Sequence, residues 1–321
     1  MQEESRLLRQ GGVRFDLDLP GRIEHPETGA TERRSTRLVS RAVDALQLID
    51  GWDAPGAAAG VVRDAGVVAT HGAEEVEVPW ASVTKLLTGI TLLVALEEGT
   101  VDLDEPAGPP GATLRHLLAH ASGLPIDGSE PIAEPGRRRI YSNTGIELAA
   151  ELLEQRAEMP FADYFQHAVV TPLGLRGWLD GSPASGYRGP LADLLAVGRE
   201  LLAPTLVAAE TLAEATSVQF PGLDGVLPGL GRMKPNDWGL TFELRDSKSP
   251  HWTGSRNSPR TFGHFGRSGT FLWVDPAAGI ACGVLTGRDF GDWAKEAWPS
   301  LSDAVLEEVG PASPQVEPNG P

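Results

Sequence analysis

The chain has 321 residues, a formal net charge of −17 and a single cysteine. The acidic balance argues against nucleic acid and anionic membrane as partners, and one cysteine excludes any internal disulfide. The length allows one large domain or two intimate ones around an ample core.

Residues 1–34 read as an irregular polar arm with one strand near Val13–Leu19. The opening Met1–Arg6 is charged and shows no secretory signal, so a cytoplasmic protein is expected. Ser35–Asp50 has helical spacing and stops at Gly51. Ala57–Arg63 and Gly66–Thr70 read as a β-hairpin around Asp64-Ala65-Gly66. Trp80–Lys85 then runs into Leu86–Gly99, where Leu86, Leu87, Ile90, Leu93, Val94 and Leu96 recur at helical spacing. This predicts a buried helix, too short and too interrupted to span a bilayer.

Val101–Pro106 opens a loop rich in Pro and Gly. Thr113–His120 reads as a short helix with Thr113 as its N-cap. Helices are expected over Thr144–Glu154, Phe161–Val170 and Leu191–Leu202, and a less regular one over Pro204–Ser217. Pro221–Gly231 reads as a Gly/Pro loop. After Asp237 the pattern turns to strands, at Gly239–Leu244, Gly269–Val274 and Gly279–Thr286. Cys282 falls in the last of these and reads as a buried strand residue. Trp293–Val309 is a closing helix and Pro311–Pro321 a disordered tail.

The order predicts an α/β (α+β) protein. Residues 35–104 and 236–310 form an α/β subdomain, and 105–235 a mostly helical subdomain inserted into it. An arm (1–34) and a tail (311–321) lie outside them.

Three short patterns carry chemistry. Ser82 and Lys85 are one helical turn apart, on the same face. A serine hydroxyl needs a neighbouring base to take its proton, and a lysine whose pKa is lowered can be that base. Arginine cannot. Only four of the 27 basic residues are lysines (Lys85, Lys234, Lys248 and Lys295), so Lys85 stands where the prevailing Arg would fail. Tyr141-Ser142-Asn143 lies just before a helix. Tyr141 could shuttle a proton to a leaving group, and Asn143 could anchor the lysine and a substrate carbonyl. His264-Phe265-Gly266-Arg267 is read as opening a strand. Gly266 permits close backbone approach, and the Arg267 N–H could pair with the Ser82 N–H to hold an oxyanion. Read singly, Ser82, Ser142 and His264 are also an ordinary cap, an ordinary cap and a strand entry.

Each pattern occurs once, in the order S-x-x-K, Y-x-N, H-x-G. Together they resemble the serine β-lactamase and penicillin-binding-protein superfamily, in its class C-like branch. That branch includes class C β-lactamases, DD-carboxypeptidases, family VIII carboxylesterases and related amidases. Leu114–Pro125, with its Leu117-Leu118-Ala119-His120-Ala121-Ser122-Gly123-Leu124-Pro125, and Phe271–Pro276 resemble flanking segments of the branch. The resemblance runs from about residue 36 to 309.

It implies a β-lactamase-like fold, an antiparallel sheet flanked by helices with a helical insertion. It implies Ser82 as nucleophile and Lys85 with Tyr141 as proton acceptor and shuttle. Asn143, His264, Gly266 and Arg267 then bind substrate. The expected activity is a serine hydrolase working through an acyl-enzyme on small esters or amides, with no cofactor and no metal. β-Lactamase or penicillin-binding DD-carboxypeptidase activity is the first alternative, a non-catalytic ligand-binding member the second. The partner is a small ester, amide or β-lactam; the oligomeric state is left open. His264 stands where many relatives have a lysine, which weakens the case for efficient antibiotic hydrolysis, and Arg267 is the candidate replacement charge.

His116-x-x-x-His120 has metal-like spacing but lacks the Glu of H-E-x-x-H, and reads as structural. Trp238, Trp252 and Trp273 flank the third pattern as pocket or core residues. Lys248–Gly254 is expected to be a loop at the site entrance.

Overall fold

The computed structural model describes residues 43–310; the arm and the tail lie outside them. A 3₁₀ helix at Asp44–Gly51 precedes the hairpin β1 (Ala58–Arg63) and β2 (Gly66–Gly72). The short β3 (Val78–Pro79) and a 3₁₀ turn at Ala81–Val83 lead into α1 (Thr84–Glu97). The middle of the chain holds α2 (Leu114–Leu118), α3 (Asn143–Ala157), α4 (Phe161–Phe165), α5 (Thr171–Leu173), β4 (Trp178–Leu179), β5 (Tyr187–Gly189), α6 (Leu191–Leu202) and α7 (Ala209–Ala215). The hairpin β6 (Gly225–Leu227) and β7 (Gly231–Met233) follows. The described residues close with β8 (Glu243–Leu244), β9 (Phe262–Phe265), β10 (Phe271–Asp275), β11 (Ile280–Leu285) and α8 (Asp292–Val309).

One six-stranded antiparallel sheet, in the order β2-β1-β11-β10-β9-β8, forms the scaffold. Its inner strands β1, β11, β10 and β9 are buried on both faces, and their alternation divides the core in two. Ala58, Val62, Leu272, Val274 and Ala281 face a cluster shared with α1 and α6. Ala59, Val61, Phe271, Trp273 and Cys282 face the other, shared with Trp298, Leu301 and Val305 of α8. Helix α6, from the middle of the chain, sits directly on the sheet. Gly60 and Gly283 permit this: a Cβ there would stand 2.6 Å from Leu195 and 2.8 Å from Leu194.

Helix α1 is buried on every side, from Thr84 through Leu93 and again at Ala95. A helix apolar all round belongs inside a protein or a membrane. Here α3 and the α4 segment cover it. No helix among the described residues is long and apolar enough to cross a membrane.

Several expected elements take another form. Of Ser35–Asp50, the described part is the 3₁₀ helix alone. Phe161–Val170 starts as α4 and widens into a π turn at Gln166–Val170. The Gly/Pro loop Pro221–Gly231 contains β6. The strand expected at Gly239–Leu244 shrinks to Glu243–Leu244. Its first half turns sharply: Thr241 has φ +66°, and its N–H donates to the Leu118 carbonyl at 2.8 Å. His264 does not open a strand; it lies within β9, beside Leu272 of β10.

Candidate active site

Ser82 is held by a turn whose start is pinned twice at Trp80. The Trp80 N–H donates to the Tyr187 carbonyl at 2.9 Å, and the Trp80 indole to the Gly189 carbonyl at 3.2 Å. Ala81 adopts the left-handed region at φ +46°, a conformation that costs energy in a residue with a Cβ. The turn delivers Ser82 to a cavity of about 720 Å³ at the edge of the sheet, lined also by Tyr141, Asn143, Trp238, His264 and Arg267.

Lys85 lies one turn on from Ser82, at the start of the buried helix, with its Nζ 3.4 Å from Ser82 Oγ. It donates to Asn143 Oδ1 at 2.7 Å and to the Ala184 carbonyl at 2.8 Å. Burial lowers its pKa to about 7, against the smaller opposing pull of Glu147 and Asp127. Asn143 Nδ2 donates to Asp127 Oδ1 at 3.0 Å. A carboxylate only accepts, so this contact turns the amide oxygen toward Lys85.

Tyr141 lies over the same amine, its ring centroid 4.8 Å from Lys85 Nζ. Burial raises its pKa, a hydrogen bond with Ser82 partly offsets this, and Asp127 adds to the rise. The phenol is therefore protonated at neutral pH, a donor rather than a resting base. It donates to His264 Nε2 at 3.5 Å. His264 Nδ1–H donates to the Phe265 carbonyl at 2.8 Å, which leaves Nε2 as the acceptor. Burial, with a smaller contribution from Lys85, lowers the His264 pKa to about 3. The imidazole is neutral and supplies no charge to the cavity. Arg267 is exposed beside it.

Gly266 shows how close the two halves of the site come. A Cβ there would stand 2.4 Å from the Trp80 carbonyl oxygen and 3.2 Å from Ser82 N. Among the described residues, neither the Ser82 N–H nor the Arg267 N–H has an acceptor within the protein.

Thus Ser82, Lys85, Tyr141, Asn143, His264, Gly266 and Arg267 all meet at one place. Residues without a sequence signal join them. Asp127 acts on Asn143 across a separation of 16 residues, and Ala184 contributes only its backbone. His120 is buried and packs against Tyr141, the ring centroids 4.6 Å apart and the planes tilted by 44°; its Nδ1 accepts from the Ser142 N–H. His116 Nδ1 instead sits 2.9 Å from Thr113 Oγ1, in the cap of α2. The two histidines therefore have separate structural partners.

Lys248–Gly254 is not an entrance loop. Lys248 and His251 are buried with Glu243, and Lys248 donates to Glu243 and to the Asp237 and Leu244 carbonyls. His251 Nε2 and Trp252 Nε1 hold the other carboxylate oxygen at 2.9 and 2.8 Å. Polar residues that read as solvent-facing satisfy one another in the interior. Burial pushes the Glu243 pKa up, but Lys248 and His251 outweigh it and hold it at about 2. The cluster fixes the turn that carries Trp238 into the cavity. Removing one partner of such a pair strands a buried charge. Lys248→Met is expected to destabilise the protein by about 3–5 kcal/mol. In a thermal melt this is a drop of roughly 10 °C; an unchanged melting temperature would refute the ion-pair role. Trp273 belongs to the core, its indole bonded to Ser302 Oγ at 3.0 Å. Burial raises the Cys282 thiol pKa.

A strained serine turn, a buried lysine and an antiparallel sheet flanked by helices define the β-lactamase-like serine hydrolase class. The chain belongs to the Beta-lactamase family, whose model matches residues 46–305. The crystal structure of a β-lactamase from Mycobacterium bovis is 54% identical, with a TM-score of 0.82, covering 83% of this chain and all of that one. AmpH of Escherichia coli, a D-alanyl-D-alanine-carboxypeptidase/endopeptidase, is 29% identical over 133 residues, 30% of this chain. The match spans about a third (34%) of AmpH. EstCE1, a hydrolase with promiscuous acyltransferase activity, is 19% identical with a TM-score of 0.65, covering 81% of this chain and 96% of that one; it shares the fold.

Proposed function

We propose that the protein hydrolyses small esters or amides through an acyl-enzyme on Ser82. The observation that carries this reading is Lys85: a buried amine with a pKa near 7, 3.4 Å from the serine oxygen. Ser82 Oγ attacks the carbonyl carbon, and its proton passes to Lys85 Nζ. The developing oxyanion lies between the Ser82 and Arg267 N–H groups, where it meets donors with no prior acceptor. As the intermediate collapses, the bond to the leaving group breaks. Lys85 returns the proton to it through the Tyr141 hydroxyl, which is protonated and positioned to relay. Water then attacks the acyl-enzyme, with the same groups taking and returning its proton.

A neutral His264 favours esters and amides over β-lactams, whose carboxylate would have no buried cation to meet. The β-lactamase reading keeps support from Arg267 at the rim and from the name of the Mycobacterium bovis relative.

Mass spectrometry after incubation with p-nitrophenyl acetate or a fluorescent penicillin tests both. The expected result is an acyl adduct on the Ser82 peptide, absent from Ser82→Ala, with faster turnover of the ester. Stable penicillin adducts with slow release fit the ester reading. Rapid penicillin release would move the assignment to β-lactamase. No adduct with either probe would leave a ligand-binding protein.

A further inference from the structure

A second depression of about 620 Å³ lies beside the Ser82 cavity. The two share Ile126, Asp127, Tyr141 and Pro228 as lining, so they adjoin across these side chains. The outer part is walled by Ile126, Ile132, Ile140 and Val226. Three of these are large hydrophobic side chains left in water: Ile126 is 50%, Ile132 67% and Val226 55% exposed. Converging exposed apolar side chains mark a binding surface, whereas scattered ones do not.

The walls are held by backbone bonds. The Ile126 carbonyl accepts from the Asn143 N–H at 2.7 Å, at the start of α3. The Ile132 N–H donates to the Gly123 carbonyl at 2.9 Å. On the other side, Val226 points outward from β6, between the buried Gly225 and Leu227. Arg139 joins the two sides: its N–H donates to the Asp224 carbonyl at 2.9 Å, and its buried guanidinium holds the Ala119, Asn236, Gln219 and Phe220 carbonyls. The groove is thus preformed, and its apolar lining faces water because of the surrounding framework.

We propose that the substrate carries an apolar chain, and that this chain lies along the outer groove while its carbonyl sits at Ser82. The inference rests on the hydrolase reading and narrows its substrate class. Adjacency to the Ser82 cavity assigns the occupant: a chain leaving the reacting carbonyl past Ile126 and Tyr141 runs onto Ile132 and Val226. The chain can belong to the acyl group or to the alcohol, and two series of substrates separate these. One is p-nitrophenyl esters from acetate to octanoate; the other is alkyl acetates from ethyl to octyl, followed by acetate release. All are used as monomers in solution with the full chain.

A methylene wholly removed from water contributes up to about fourfold in affinity. In one series kcat/KM is expected to rise at least tenfold (roughly one methylene pair's worth of burial) across the range. Val226→Asp and Ile132→Asp, at exposed positions, should flatten that rise to below about threefold while circular dichroism stays that of wild type. Two flat series with measurable acetate hydrolysis overturn the proposal alone, as would a rise that both variants leave intact. No hydrolysis of any ester and no Ser82 adduct overturn it together with the hydrolase reading.

Discussion

Lys85→Arg is expected to lose ester hydrolysis by a factor on the order of 10⁴ to 10⁶, the range in which a proton acceptor acts as a unit with its nucleophile. Charge is preserved in this variant, so a purely electrostatic role for Lys85 would survive it. Basicity is not preserved, because guanidinium stays protonated throughout the working range. The wild-type pH profile checks the same point. Burial lowers the Lys85 pKa to about 7, and the base form is the active one. The kcat/KM should rise tenfold per pH unit below about 7 and level off above it. Lys85→Met should be equally inactive while remaining folded. It also gives a readout independent of activity. Between about pH 7 and the ordinary lysine pKa of 10.5, the unfolded chain binds a proton that the native state has released. Wild-type stability therefore gains from this group as pH rises through that window, by up to about 1.4 kcal/mol per unit. Lys85→Met should lack that gain. Full activity in Lys85→Arg, or a profile flat through pH 7, would remove Lys85 from the role of base.

The Ser82 stretch was legible because its signals are local. A helix apolar on every side is written in the spacing of Leu86, Leu87 and Ile90, and a lysine among arginines stands out. The strands β10 and β11 were legible for the same reason, as continuous apolar runs closed by the Asp275–Gly279 turn. Other features depend on partners far away in the chain. Gly239–Leu244 has a strand's composition, yet Thr241 turns to meet the Leu118 carbonyl, and tertiary bonding overrides propensity. Lys248 and His251 look solvent-facing until Glu243 is placed against them. Asp127 is one of many acidic residues in the sequence, and only Asn143, brought beside it at the head of α3, gives it a function. His264 was legible as a site residue, but its neutrality follows from burial in β9, with a smaller push from Lys85, and holds against the bond to the Phe265 carbonyl.

Gly266→Ala is the second large effect. Glycine is needed here for space: the added methyl would stand 2.4 Å from a backbone oxygen, that of Trp80, and 3.0 Å from Ala81 Cβ. Backbone cannot rotate away as a flexible side chain would, so the Ser82 turn and the β9–β10 connection must separate. Those two segments carry the Ser82 and Arg267 N–H groups. Moving them apart leaves the oxyanion with one well-placed donor, and loss of one donor costs on the order of 10²–10³ in kcat. The expected loss is at the upper end, about 10³, because the shift also disturbs Ser82 itself. It should fall on kcat for acylation, with Lys85 still titrating near pH 7. Gly51→Ala is the matched control. A Cβ there meets nothing within 4 Å, and its activity should equal that of wild type. If Gly266→Ala turned over esters at the wild-type rate, the oxyanion could not lie between these two N–H groups. The stabilising donors would then have to be sought on the Tyr141 and Asn143 side of the cavity.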